Sequence, residues 1–248
     1  MSWFGKVAGG TVGFLFGGPL GAICGAALGH AFVDKSPGGL QESRKFTYKD
    51  ETQALYFVTL FSILGKLSKI DGAVTRDEID ATEKFMKEIR LTAEQRKFAI
   101  ETFNEAKNSP YSIEELAIQF YKFNRRSPEI LRSLINLLFR IVAADGKEHP
   151  AEEKALRQVK NIFRISEQEF TNLRRSFFDD VDKYYSRLEC TPKSSNQEIK
   201  RNYKRLANDF HPDKIISKGL PEEFINFATD QFQEIQEAYG KIRKQRNF

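Results

Sequence analysis

Apolar positions along this chain fall into three regimes. From Val7 to Val33 there are 27 residues without a formal charge, counting histidine as neutral. From about Asp50 to Phe178 apolar residues recur mostly at intervals of three and four, as in Leu55, Val58 and Phe61, Ile63 with Leu67, then, after Ile79, Phe85 with Ile89. That period is the buried stripe of an amphipathic helix. Beyond residue 181 two further stripes appear, Ile199, Tyr203, Leu206 and Phe210, then Ala228, Phe232, Ile235, Tyr239 and Ile242. No run alternates with the period of two that a half-buried strand requires, so the pattern predicts an all-α chain.

The first regime is long enough to cross a bilayer, which takes about 20 apolar residues in a helix. Nine of the sixteen glycines precede residue 30, and Gly5, Gly9, Gly13, Gly17, Gly21, Gly25 and Gly29 fall at four-residue spacing. On a helix this spacing makes a ridge without side chains, which in lipid lets two backbones approach. In water the same run is a poor helix, since each Gly costs roughly 1 kcal/mol relative to Ala. A cleaved signal peptide fits less well: the only early basic side chain is Lys6, and no A-x-A site follows. The expectation is a single membrane-spanning helix within residues 1–35, with Gly9, Gly13, Gly17, Gly21, Gly25 and Gly29 pairing two copies. Pro19 leaves a kinked or hairpin insertion as the other option. Lys35, Arg44, Lys45 and Lys49 follow the span, so the positive-inside rule puts the rest of the chain in the cytoplasm and the N-terminus outside.

Ser36-Pro37-Gly38-Gly39 opens a linker, residues 36–49, before the helical body at 50–178. Start signals recur there: Thr75-x-x-Glu78, Thr92-x-x-Gln95, Ser112-x-x-Glu115 and Ser166-x-x-Glu169 read as capping boxes. Ser127-Pro128 places a cap before a proline at the first helical position. Two stretches resemble each other at an offset of 74 residues, Leu64–Phe85 and Leu138–Val159. Each reads as apolar helix, Asp-Gly turn and second helix, with Asp71 and Glu78 in the first and Asp145 and Glu152 in the second. The duplication implies two helical hairpins packed pseudo-symmetrically. The four carboxylates form a candidate divalent-cation site, because hard cations take carboxylate oxygens. Helix capping explains the two glutamates equally well, and no EF-hand pattern follows either aspartate.

In the last regime, residues 181–248, Tyr184, Tyr185 and Leu188 mark a short helix that Thr191-Pro192 ends. Ser195-x-x-Glu198 caps the next helix, whose Lys200, Arg201, Lys204 and Arg205 are expected to face outward. His211-Pro212-Asp213 stops it, because proline fixes its own φ and drives the preceding residue out of helical space. Pro221 restarts a helix, and the two apolar stripes face each other as an antiparallel hairpin with an aromatic seam.

Charge narrows the function. The net charge is +5 with both signs interspersed, which is not a nucleic-acid-binding stripe. Cys24 and Cys190 form neither a metal spacing nor a disulfide framework. No nucleophile–base set, phosphate loop or zinc motif can be assembled, so an intrinsic enzyme is not expected.

The run YYSRLECTPKSSNQEIKRNYKRLANDFHPDK with FQEIQEAYGKI resembles the J-domain of DnaJ co-chaperones, and the two Asp-Gly hairpins resemble the TerB-like (tellurite-resistance) helical domain. With the glycine-rich span and HPDKIISKGLPEEF, the whole chain is similar to the DjlA-type membrane-anchored DnaJ-like co-chaperones of the bacterial inner membrane. That resemblance implies binding to a DnaK-type chaperone and stimulation of its ATPase. By motif position it implies that His211, Pro212 and Asp213 carry this, with Tyr203, Lys204 and Arg205, and more weakly Lys200 and Lys214, touching the chaperone. It implies no cofactor beyond the candidate cation, and an unknown client. The Gly/Phe-rich and cysteine-rich modules of general DnaJ proteins are absent from the chain. The alternative is a membrane-tethered scaffold or metal-responsive stress protein acting through the TerB-like part.

Overall fold

The computed structural model describes residues 4, 17–32, 47–70, 76–146, 149–178 and 183–248. The described residues contain twelve α-helices and no strand, as the periodicity predicts. In chain order they are α1 (Gly18–Phe32), α2 (Tyr48–Leu67), α3 (Arg76–Glu88), α4 (Ala93–Asn108), α5 (Ile113–Asn124) and α6 (Pro128–Val142). After a 3₁₀ turn at Ala143–Asp145 follow α7 (Pro150–Ile162), α8 (Glu167–Phe178), α9 (Lys183–Arg187), α10 (Asn196–Asp209), α11 (Pro212–Ser217) and α12 (Glu222–Arg246).

Helix α2 is the axis of the molecule. From Thr52 to Gly65 every residue is buried, the polar Thr52, Gln53, Thr59 and Ser62 included. It starts at Tyr48, inside the stretch read as linker, because Thr47 and Asp50 form a capping box. The Thr47 N–H donates to Asp50 Oδ2 at 2.9 Å, and the Asp50 N–H donates to Thr47 Oγ1 at 3.3 Å. Boxes also form at Thr92/Gln95, Ser112/Glu115 and Ser166/Glu169. Thr75 lies outside the described residues. Pro128 occupies the first position of α6, but Ser127 makes no side-chain cap bond there. The second Asp-Gly turn closes through Gly146 at φ +74°, which suits a residue without Cβ.

Helices α4 and α5 pack along α2, and α4 comes unusually close. A Cβ at Gly65 would stand 2.3 Å from the carbonyl oxygen of Phe103. Helix α1 lies over α2, α4 and α5 with Leu20, Ile23, Cys24, Ala27 and Ala31 buried. Gln119 holds its start, accepting from the Leu20 N–H at 2.9 Å and donating to the Gly17 carbonyl at 2.9 Å. The helix begins only at Gly18, since Gly17 and Gly18 both have positive φ (+53° and +59°). The four-residue glycine spacing therefore does not run through Gly17 as one unbroken helix. Gly21 is buried whereas Gly17 and Gly29 are exposed, and Gly9 and Gly13 lie outside the described residues. No described helix is long and apolar enough to cross a membrane.

The apolar interior does not stop at residue 178. Leu220, Pro221 and Phe224, at the start of α12, are buried. The Phe224 ring stands 5.0 Å from Tyr56 and 6.4 Å from Phe85, and Phe227 meets Phe85 edge-on at 6.4 Å. One hydrophobic cluster thus joins the helical body to the C-terminal hairpin.

Gly65→Ala forces α4 away from α2 and is expected to lower unfolding free energy by about 1–3 kcal/mol, the usual range for overpacking. Equilibrium denaturation checks this; stability equal to wild type contradicts the close approach.

Candidate chaperone-docking corner

The corner is built on a rigid hairpin. Helix α10 follows Ser195, whose Oγ accepts from the Glu198 N–H at 3.1 Å. Its inner face buries Ile199, Asn202, Leu206 and Asp209, while α12 buries Ile235, Ala238 and Ile242. Tyr203 and Tyr239 stack with ring centres 3.9 Å apart and planes within 8°. The Asn202 amide donates to the carbonyls of Leu188 and Glu189 at 3.1 and 3.0 Å, fastening α10 to the end of α9. Arg246, near the end of α12, donates to Tyr185 Oη and to the Ser194 carbonyl, both at 2.7 Å. These bonds close the aromatic hairpin expected from the two stripes.

At the tip, α10 ends at Asp209, and Pro212 opens the short helix α11. A short helix therefore stands where the sequence suggested a loop. Pro212 sits at its first position, where the missing N–H costs nothing. His211 is the N-cap: its Nδ1 accepts from the Asp213 N–H at 3.3 Å. The imidazole rests edge-on against Phe232 at 5.2 Å and 71°. The sequence read Phe232 only as part of the hairpin stripe; its place beneath the histidine depends on the tertiary turn. The His211 side chain is 44% exposed and that of Asp213 is 89% exposed, so imidazole and carboxylate are both open to a partner.

Lys200, Lys204 and Asn208, one turn apart, form an exposed row leading to this corner, and Lys214 donates to Asn208 Oδ1 at its end. The Lys200 ammonium lies over the Phe248 ring at 5.0 Å. Arg205 departs from the expectation. It does not face outward: its side chain is 21% exposed and is bound to Glu189, with Glu169 of α8 3.8 Å away. At one turn from the buried Asn202 and Asp209, its position on α10 faces the helical body. Tyr203 is likewise half-buried in its stack. The structure therefore gathers His211, Asp213, Lys214, Lys204 and Lys200 on one accessible side and turns Arg205 inward.

The candidate cation site divides differently. Asp71 lies outside the described residues, as do the side chains of Glu78 and Asp145; Glu152 is buried. Among the described residues no three His, Cys, Asp or Glu side chains converge on one point.

An exposed His-Pro-Asp corner at the tip of a helical hairpin, reached along a basic helix, defines a J-domain. Comparison with known proteins agrees: residues 183–247 match the DnaJ domain, residues 58–175 match the tellurite resistance protein TerB, and residues 1–45 match the co-chaperone DjlA transmembrane domain. Relatives named co-chaperone protein DjlA align end to end. That of Photobacterium profundum is 30% identical over 99% of both chains. That of Escherichia coli K12 is 29% identical over 100% of both, and that of Coxiella burnetii 28% identical over 100% of this chain and 99% of its own. No solved structure matches. The chain belongs to the DjlA family of co-chaperones and carries its transmembrane, TerB and DnaJ domains in that order.

Burial raises the Glu189 carboxyl above its ordinary range, while Arg205 beside it pulls in the opposite direction. A raised folded pKa contributes stability below the unfolded value, and that contribution is lost as pH rises through the folded value. Wild type is therefore expected to lose stability relative to Glu189→Gln as pH rises from the ordinary glutamate range through the raised folded value. Denaturant midpoints of both proteins across that window test this, and a wild-type midpoint that holds or rises relative to that of Glu189→Gln as pH rises contradicts it.

Proposed function

We propose that this membrane-anchored co-chaperone binds a DnaK-type chaperone through its J-domain and stimulates ATP hydrolysis by it at the cytoplasmic face of the bacterial inner membrane. The observation that carries the reading is the exposed His211-Pro212-Asp213 corner at the end of the Lys200–Lys204 row. Cationic rows steer and orient an acidic partner surface, and Asp213, free of burial, offers a carboxylate for a charge-assisted bond to a partner cation. Pro212 fixes its own φ and restricts His211, so the backbone that carries imidazole and carboxylate is held at the turn from α10 to α11. Lys214 extends the charge beyond the corner. Tyr203 contributes through its outer ring edge and Arg205 through the fixed course of α10. Orientation follows from the basic residues after the anchor, Lys35, Arg44, Lys45 and Lys49.

Single-turnover ATP hydrolysis by a DnaK-type chaperone, with the full chain in lipid nanodiscs, tests the reading. His211→Gln and Asp213→Asn are each expected to lower the stimulated rate by about tenfold or more, roughly 1.4 kcal/mol in barrier. Equal stimulation by wild type and His211→Gln rejects the proposal. Lys200→Glu/Lys204→Glu is expected to raise the half-saturating concentration, more so at low salt, because the row acts through screened charge.

A further inference from the structure

Both shoulders of the His-Pro-Asp corner are held by residues outside the J-domain. Asp209 ends α10 two residues before His211, and it is almost fully buried. Arg132 of α6 grips it with both prongs, Nε to Oδ2 and Nη2 to Oδ1, each at 2.6 Å. On the other side, Lys218 caps the end of α11. Its ammonium is 3.0 Å from Glu129 Oε1, an ion pair without hydrogen-bond geometry, and 3.4 Å from Ser127 Oγ. Ser127, Glu129 and Arg132 belong to the entry and first turns of a single helix. Gln53 of α2 adds a third hold, donating to the Leu220 carbonyl at 2.9 Å. Within the J-domain the corner is supported by the His211 cap, the Phe232 ring, the Lys214–Asn208 bond and the buried Ile215 of α11.

This distribution has an energetic consequence. A bidentate guanidinium–carboxylate pair fixes direction as well as distance. Without Arg132, Asp209 would be left with Arg205, whose Nη1 stands 3.9 Å away and which is already bound to Glu189, so the buried carboxylate would be under-compensated and the end of α10 would shift toward water. That movement passes straight into His211, because only Phe210 stands between them.

We infer that Arg132 and Glu129 of the TerB-like domain are positioning residues for chaperone activation, holding the His211-Pro212-Asp213 corner at its working angle through Asp209 and Lys218. This rests on the chaperone-activating reading, so two readouts are needed. The first is amide hydrogen exchange of residues 210–219 in the full chain in nanodiscs. The second is single-turnover ATP hydrolysis by a DnaK-type chaperone, titrated to separate maximal stimulation from half-saturating concentration.

Arg132→Met is expected to speed exchange at 210–219 while exchange in α2 stays as in wild type. It is expected to cut maximal stimulation by about tenfold, the scale of a small displacement of reacting groups, with half-saturation nearly unchanged. Arg132→Lys is expected to recover part of the effect. Lys218→Ala, which removes the cation beside the largely buried Glu129, is expected to act in the same direction more weakly. Unchanged exchange at 210–219 in both Arg132→Met and Lys218→Ala overturns the positioning role, whatever the ATPase shows. Faster exchange with wild-type maximal stimulation overturns it too. If wild type itself fails to stimulate, the chaperone-activating reading falls, and the positioning of the corner for activation falls with it, while the exchange data still report whether Arg132 holds it in place.

Discussion

The burial of Phe224 against Tyr56 and Phe85 is the interaction on which the arrangement of this molecule depends. It is a ring from the J-domain set among rings of the helical body, at the depth where α2 has no solvent-facing side. Aromatic contacts of this kind add about 0.5–1.5 kcal/mol beyond the area they bury. More importantly, a close-packed interior does not deform continuously. While Phe224 is seated, the first turns of α12 cannot swing, and α10, which is stacked on α12 through Tyr203 and Tyr239, cannot swing either.

Polar contacts then fix the rotation that an apolar wedge alone leaves loose. Arg132 with Asp209, Lys218 with Glu129 and Gln53 with the Leu220 carbonyl lie around the rim of the wedge. Glu189 and Glu169 draw Arg205 inward on the adjoining side. The result separates two faces of one helix. The Lys200–Lys204 row stays in solvent, and the Asn202–Arg205–Asp209 side is committed to structure. A J-domain mounted this way presents its corner in a set direction relative to the body.

The helices themselves were legible in the sequence, because a period of three to four and capping boxes are local signals; Thr92/Gln95 and Ser112/Glu115 stand where the text of the chain puts them. The hairpin seam was legible for the same reason. What was not legible depends on residues far apart in sequence. Arg205 reads as one of four basic residues on an outer face, and only the carboxylates of Glu169 and Glu189, brought in by α8 and the end of α9, turn it inward. Phe224 looks like an ordinary apolar residue near a helix start, and nothing local says that its pocket is lined by Tyr56 and Phe85. The glycine spacing likewise gives no sign that Gly17 and Gly18, just ahead of and at the start of α1, take positive φ, a backbone state that glycine adopts without steric cost.

Through the contacts of Phe224, Arg132 and Lys218 the J-domain and the TerB-like domain form one rigid unit that presents the His-Pro-Asp corner in a fixed direction. Pulsed electron–electron distance measurement between spin labels at Lys200→Cys and Lys122→Cys tests it most directly. Both positions are exposed, and the native Cys24 and Cys190 are buried, with burial pushing the Cys190 thiol up to about 11. A single narrow distance distribution in the full chain in nanodiscs is the predicted result, and a broad or bimodal distribution contradicts the account.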